Sequence, residues 1–208
     1  MKRVLLLAST ILAVNSYAQQ WADLNQGGTI CHQGGDKPVL KYMQADSLKN
    51  RYTVPKKYNE IKFKAMYQMK YTDKTHSENE AVYLHGYVIE VKKGGSETCN
   101  CHTKDVKWFD THIVISNDPN DDDPSHGIVV EVTPRLRGIV AKSLGVSWDE
   151  CDTKYLETKL MGHEVIVKGY LFNDYEHKTN SVADNGNGNL WRGTCWEIHP
   201  VCEIDILN

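Results

Sequence analysis

The chain has 208 residues, with 24 basic against 27 acidic side chains and a formal net charge of −3. This acidic balance argues against nonspecific binding to a phosphate backbone, which needs a dense positive surface. The length suffices for one domain with a sizeable core.

The opening residues, MKRVLLLASTILAVNSYAQQ, carry two basic side chains, an apolar run and then small residues ending at Ala18. That order predicts an export signal at 1–18, cleaved after Ala18. The run is too short for a membrane span, and no later segment approaches twenty apolar residues. The mature protein is therefore expected outside the cytoplasm, periplasmic or secreted. All six cysteines, Cys31, Cys99, Cys101, Cys151, Cys195 and Cys202, lie beyond the signal. In an exported chain they are disulfide candidates. Cys99 and Cys101 are expected to find separate partners, because a single intervening residue gives poor bridge geometry.

Residues 19–79 predict an N-terminal arm. Glycine clusters at 27–28 and 34–35 mark loops, and Pro55 precedes KKYNEIKFKAMYQMKY, whose spacing suits either a short helix or a strand. From residue 80 to 208 the pattern predicts a second unit. AVYLHGYVIEVK reads as a long first strand able to bend at Gly86. KWFDTHIVIS alternates as a second strand, NDPNDDDPSHG is a loop, and GIVVEVT is a third strand. TPRLRGIVAKSLG predicts a helix with Thr133 as cap, Pro134 at its first position and Gly145 at its end. HEVIVKGYLF and WRGTCWEIHPVCEIDIL supply strands four and five, the last interrupted at Pro200. Three strands, a helix and two strands is the order of a small closed Greek-key barrel of the OB type, all-β with one helix; an open sheet covered by the arm is the alternative.

Barrel closure makes one alternation set the interior. Phe109, Ile113 and Ile115, then Ile128, Val130 and Val132, then Trp196 and Ile198 are the interior sets, so Asp110, His112, Glu131, Glu197 and His199 face outward. In the OB arrangement the third strand lies between the second and the fifth, so these side chains can share one patch roughly 10 Å across. The loop carrying Asp174, Glu176 and His177 is placed to frame it. Imidazoles and carboxylates together suit a divalent cation, with His112, His177 and His199 as expected ligands and Glu197 or Glu131 orienting a ligand or activating water. Solvated or structural ion pairs are the plainer account.

The segments FDTHIVI (109–115), VVEV (129–132), VKGYLFNDYEHKTNS (167–181) and WEIHPV (196–201) resemble an uncharacterised group of exported bacterial proteins with an OB-like barrel and a closing E-[IL]-H-P-V motif. The resemblance covers 83–206. It implies Asp110, His112, Glu131, His177, Glu197 and His199 as the positions of interest and implies no activity. This chain departs from the group after His177, where Lys178, Thr179 and Asn180 replace a glycine- and glutamine-containing run, and in its arm and extra cysteines.

Among rival sites, Asp118, Asn120 and Asp122 open like a calcium loop, but Asp123 and Val129 stand where the pattern needs glycine and glutamate. The turn-rich run 184–189 has one carboxylate. Tyr83, Tyr87, Trp108 and Tyr170 could form a stacking platform for single strands, but without a basic groove nucleic acid is disfavoured. No serine sits in a nucleophile turn. The sequence thus predicts an exported binding or interaction module, its partner an unspecified small ligand or envelope protein. A divalent-metal-dependent hydrolase acting on phosphate esters and a structural envelope protein are the alternatives, and a divalent ion is the only cofactor implied.

Overall fold

The computed structural model describes residues 24–26 and 29–207; the expected signal at 1–18 lies outside them. The arm contains β1 (Leu24–Gln26), β2 (Thr29–Cys31), α1 (Leu40–Lys49), β3 (Asn59–Glu60) and α2 (Phe63–Tyr67). Then follow β4 (Ala81–Lys93), β5 (Thr111–Ser116), β6 (Ile128–Val132), α3 (Arg137–Ser143), α4 (Thr153–Leu160), β7 (Glu164–Asn173) and β8 (Trp196–Ile206).

The main sheet runs β3-β4-β5-β6-β8-β7 and closes through β4–β7, giving a five-stranded OB-like barrel with β3 as an extra strand. β6 and β8 are parallel, paired at Val130 and Ile198, and the other barrel pairs are antiparallel. Within the barrel β4 serves two partners, residues 81–87 pairing with β7 and residues 87–93 with β5, while the extra strand β3 pairs with Val82 and Tyr83. Gly86 sits at the changeover, where a Cβ would lie 2.5 Å from the Ser116 carbonyl oxygen and 2.6 Å from Ile115 Cγ2. Any side chain there would push the two strands apart.

The interior is filled by the alternate residues that the pattern predicts, including Ile113, Ile115, Ile128, Val130, Val132, Trp196 and Ile198. Phe109 is outside this buried cluster. β8 continues through Pro200 rather than stopping there. The irregularity falls in its register with β7, where Lys168 pairs with Glu203, Gly169 with Val201 and Leu171 with Ile198. The His199–Pro200 peptide is cis. Only glycine fits opposite it, because a Cβ on Gly169 would be 2.4 Å from the Pro200 carbonyl oxygen.

Thr133 does not cap α3. That helix starts after a turn in which the Leu136 and Arg137 amides donate to the Thr133 carbonyl, and its N-cap, Leu136, makes no side-chain bond. Gly145, at φ +76°, follows the helix end as expected. The second helix, α4, has the cap the first lacks: Asp152 accepts from the Tyr155 amide. In the arm, the ambiguous segment after Pro55 divides into β3 and α2, while α1 lies in a stretch with no helical apolar stripe.

One disulfide forms, Cys31–Cys101, joining β2 of the arm to the β4–β5 loop. Cys99 is a free buried thiol, as are Cys151, Cys195 and Cys202. The arm is further held where Arg135 donates to the carbonyls of Cys31 and His32 and to Asn50 Oδ1, and where Asn50 donates to the Cys99 carbonyl. α1 therefore packs over the barrel wall on the β8 side. Among the described residues no helix is long and apolar enough to cross a membrane.

Candidate functional site

Strand pairing assembles the site. His112 and Glu131 are direct cross-strand partners between β5 and β6, the β6–β8 pairing brings Glu197 and His199 alongside, and Phe172 of β7 pairs with Glu197. Asp110 stands just before β5. These side chains leave the outer face of the barrel wall, as the alternation predicts, but they do not reach solvent. Glu197 and His199 are fully buried and Asp110 and Glu131 nearly so. The patch is an interior surface between the barrel, the arm and the β7–β8 loop.

His199 is its centre. Nδ1 lies 3.0 Å from Glu197 Oε1 and 3.3 Å from Glu131 Oε2, while Nε2 faces Asp110 Oδ2 at 3.7 Å. Arg192, from the loop before β8, donates from Nη2 to Glu197 Oε2 at 2.8 Å with both side chains fully buried. Glu197 is thus held between a guanidinium and an imidazole and is poorly placed to activate water. His112 Nε2 approaches Glu131 Oε2 at 3.3 Å, close enough to pair but not aligned as a hydrogen bond, and both atoms are buried without a hydrogen-bond partner. His199 Nε2 is in the same condition.

Three carboxylates therefore share the wall with one permanent cation, Arg192, and the imidazoles respond. Burial pulls His112 toward its neutral form, but the Glu131 carboxylate overrides it and holds the pKa at about 9. His199 is likewise raised, burial being outweighed by Glu131 and Glu197. Burial lifts Asp110 to about 6, although His199 opposes the rise. Glu131 is held well below the usual range because His112 and His199 outweigh its burial.

These shifts give a pH dependence with a definite sign. His112 has its folded pKa above its unfolded value, so its contribution is complete below about 6.5 and is lost as pH climbs through about 9. The loss is on the order of 3 kcal/mol, and His199 acts in the same direction. Urea denaturation of chelator-treated protein at pH 6 and pH 9 should show the decline, and His112→Gln should flatten it. Equal slopes in the two proteins would contradict this assignment.

The three imidazoles expected as a ligand set do not converge. The group whose donor atoms lie within 4.8 Å of one another is Asp110, Glu131 and His199. His112 stands one step out, behind Glu131. His177 belongs to the covering loop, partly exposed, 3.7 Å from Asp174 Oδ2 and edge-on to Trp191. The arm contributes Lys49, whose ammonium lies 3.3 Å from Glu97 and 3.4 Å from Asp174. Burial opposes its charge, but Asp174 and Glu97 keep its pKa well above the usual value.

Above Lys49 and Phe172 opens a pocket of about 330 Å³ between α1, the loop at 97–102 and the β7–β8 loop. Phe172 links it to the network, its ring meeting that of His199 at 5.7 Å in an edge arrangement. Asp46 also lines the pocket. Oδ1 accepts from Thr98, whereas Oδ2 is buried without a partner. Burial raises the Asp46 pKa.

Arg192, Lys49 and Asp46 are the residues that sequence pattern misses. Arg192 follows a glycine- and asparagine-rich loop with no periodicity to orient it, and Lys49 and Asp46 belong to α1. The rival calcium loop is a self-satisfied turn: Asp118 accepts from the Asn120 amide and Asp121 from the Asp123 amide and the Ser116 hydroxyl.

Comparison with protein-family models, curated proteins and solved structures finds no match at the level taken as significant.

Proposed function

We propose that the protein is an exported binding module built on the OB-like barrel, and that its ligand occupies the pocket beneath the arm. The observation that carries this reading is the pocket itself. On the face where OB-folds commonly take ligands, the arm leaves a cavity ending on the partly buried Lys49 ammonium, which pairs with Glu97 and Asp174, and on a buried Asp46 oxygen with no hydrogen-bond partner. Small-molecule sites have this character, a preformed concavity with a few fixed polar groups. Tyr42, Phe172 and Tyr175 give it an apolar lining. A cation and an anion together favour a small ligand bearing an amine and an acid, such as a free amino acid or a dipeptide.

Export is supported by the signal-like segment at 1–18, by a disulfide of the kind that persists in oxidising compartments, and by the resemblance to exported bacterial proteins. Titration calorimetry with a panel of amino acids and dipeptides is the test. At least one should bind, and Asp46→Asn should weaken it tenfold or more. Silence across the panel, or binding indifferent to Asp46→Asn, would remove the pocket as the ligand site.

A second reading, a divalent-metal-dependent hydrolase, draws support from the Asp110, Glu131 and His199 convergence. It requires that the convergence hold a metal ion.

A further inference from the structure

Asp110, Glu131 and His199 have features that an ordinary buried ion-pair network lacks. Each offers one donor atom within 4.8 Å of the others. His199 uses Nδ1 on Glu197, and Glu197 is itself anchored by Arg192. A carboxylate on the remote nitrogen of an imidazole is the arrangement that orients a metal-binding histidine and fixes its tautomer. The other nitrogen, Nε2, is then the one available to a ligand, and it is fully buried with no hydrogen-bond partner.

The oxygen that Nε2 faces, Asp110 Oδ2, is 3.7 Å away. That is beyond hydrogen-bonding reach but near the roughly 3.4 Å that separates two donors sharing a tetrahedral zinc ion. Glu131 Oε2 is also buried without an aligned hydrogen bond, although it lies 3.3 Å from both His199 Nδ1 and His112 Nε2. Two carboxylates and one imidazole suit a borderline divalent cation. Calcium would need six to eight oxygens, and thiolate-preferring metals would need sulfur.

We propose that Asp110, Glu131 and His199 form a binding site for a divalent transition-metal ion, Zn2+ or Mn2+, with Glu197 and Arg192 orienting the histidine. Three protein donors leave coordination positions for water or a ligand. The site goes beyond the pocket reading and does not depend on what the pocket binds. It also revises the ligand set expected from sequence, replacing two of the three imidazoles by carboxylates.

Untagged protein, stripped with chelator and then dialysed separately against Zn2+ and Mn2+, should retain about one ion per chain by elemental analysis, with a raised thermal midpoint. Asp110→Asn and Glu131→Gln preserve shape while removing a charged donor, and each should lower affinity at least tenfold with an unchanged far-ultraviolet spectrum. X-ray absorption of Zn2+-loaded wild-type protein reads the ligands even if a variant fails to fold; one imidazole in an otherwise oxygen shell is expected. Folded wild-type protein that binds neither ion would overturn the proposal. So would undiminished binding in both variants or a sulfur-containing shell. The amino-acid titration is scored separately, so either reading can fail alone.

Discussion

Arg192→Met should destabilise the fold by about 3–5 kcal/mol, the usual consequence of removing one partner from a buried ion pair. The side chain is fully buried, its Nη2 is 2.8 Å from Glu197 Oε2, Nε and Nη1 have no hydrogen-bond partner, and the guanidinium lies 4.4 Å over the Trp191 ring. The guanidinium is therefore kept in the interior by charge more than by hydrogen-bond saturation. Removing it leaves Glu197 facing Glu131 and Asp110 across His199, with no permanent cation on Glu197. The double variant Arg192→Met/Glu197→Gln should recover part of the loss, because an uncharged amide no longer needs compensation. Urea denaturation of the two variants against wild type measures both quantities. A single-variant loss under about 1 kcal/mol would mean that the pair behaves like a surface salt bridge.

Opening Cys31–Cys101 should have a comparable effect by a different route. The bridge closes a separation of 70 residues, for which chain entropy gives about 4 kcal/mol. The loss should be local in character. Without the bridge, the arm keeps Arg135 on the Cys31 and His32 carbonyls, Asn50 on the Cys99 carbonyl and the Asp36 amide on the Thr98 carbonyl. It loses the covalent tie that holds α1 over the polar wall. The Cys31→Ser/Cys101→Ser variant should therefore show faster amide exchange in β2, α1 and the 97–102 loop, beyond the acceleration that the lower global stability gives β4 to β8. An unchanged thermal midpoint, or exchange accelerated equally throughout, would contradict a roofing role.

The barrel was legible because its signals are local. Alternation along FDTHIVI, IVVEV and WEIH separates Ile113, Val130 and Ile198 from His112, Glu131 and His199, and Gly86 marks the bend of β4. The roof was not legible, for it depends on pairings between residues far apart. Nothing in the sequence ranks Cys101 above Cys99 as the partner of Cys31. α1 is a poor pattern, with Leu40 and Met43 exposed and Asp46 buried, because its polar side chains face the site. The sequence places the ionisable residues on the outside of the wall. A closed sheet can still have its outer face buried by another part of the chain, and that converts a solvated patch into a charge-coupled network. The same reason moves the expected ligand set: His177 sits in the cover, whereas Asp110 and Glu131 are in the wall beside His199.

The most direct test is an anomalous-scattering map of crystals of untagged protein equilibrated with Zn2+, collected on both sides of the zinc edge. A peak about 2.0–2.2 Å from His199 Nε2 and from one oxygen each of Asp110 and Glu131 is the predicted result. A map without zinc at this position, with His199 Nε2 drawn into hydrogen-bonding distance of Asp110, would contradict it and leave the wall as a proton-balanced structural network.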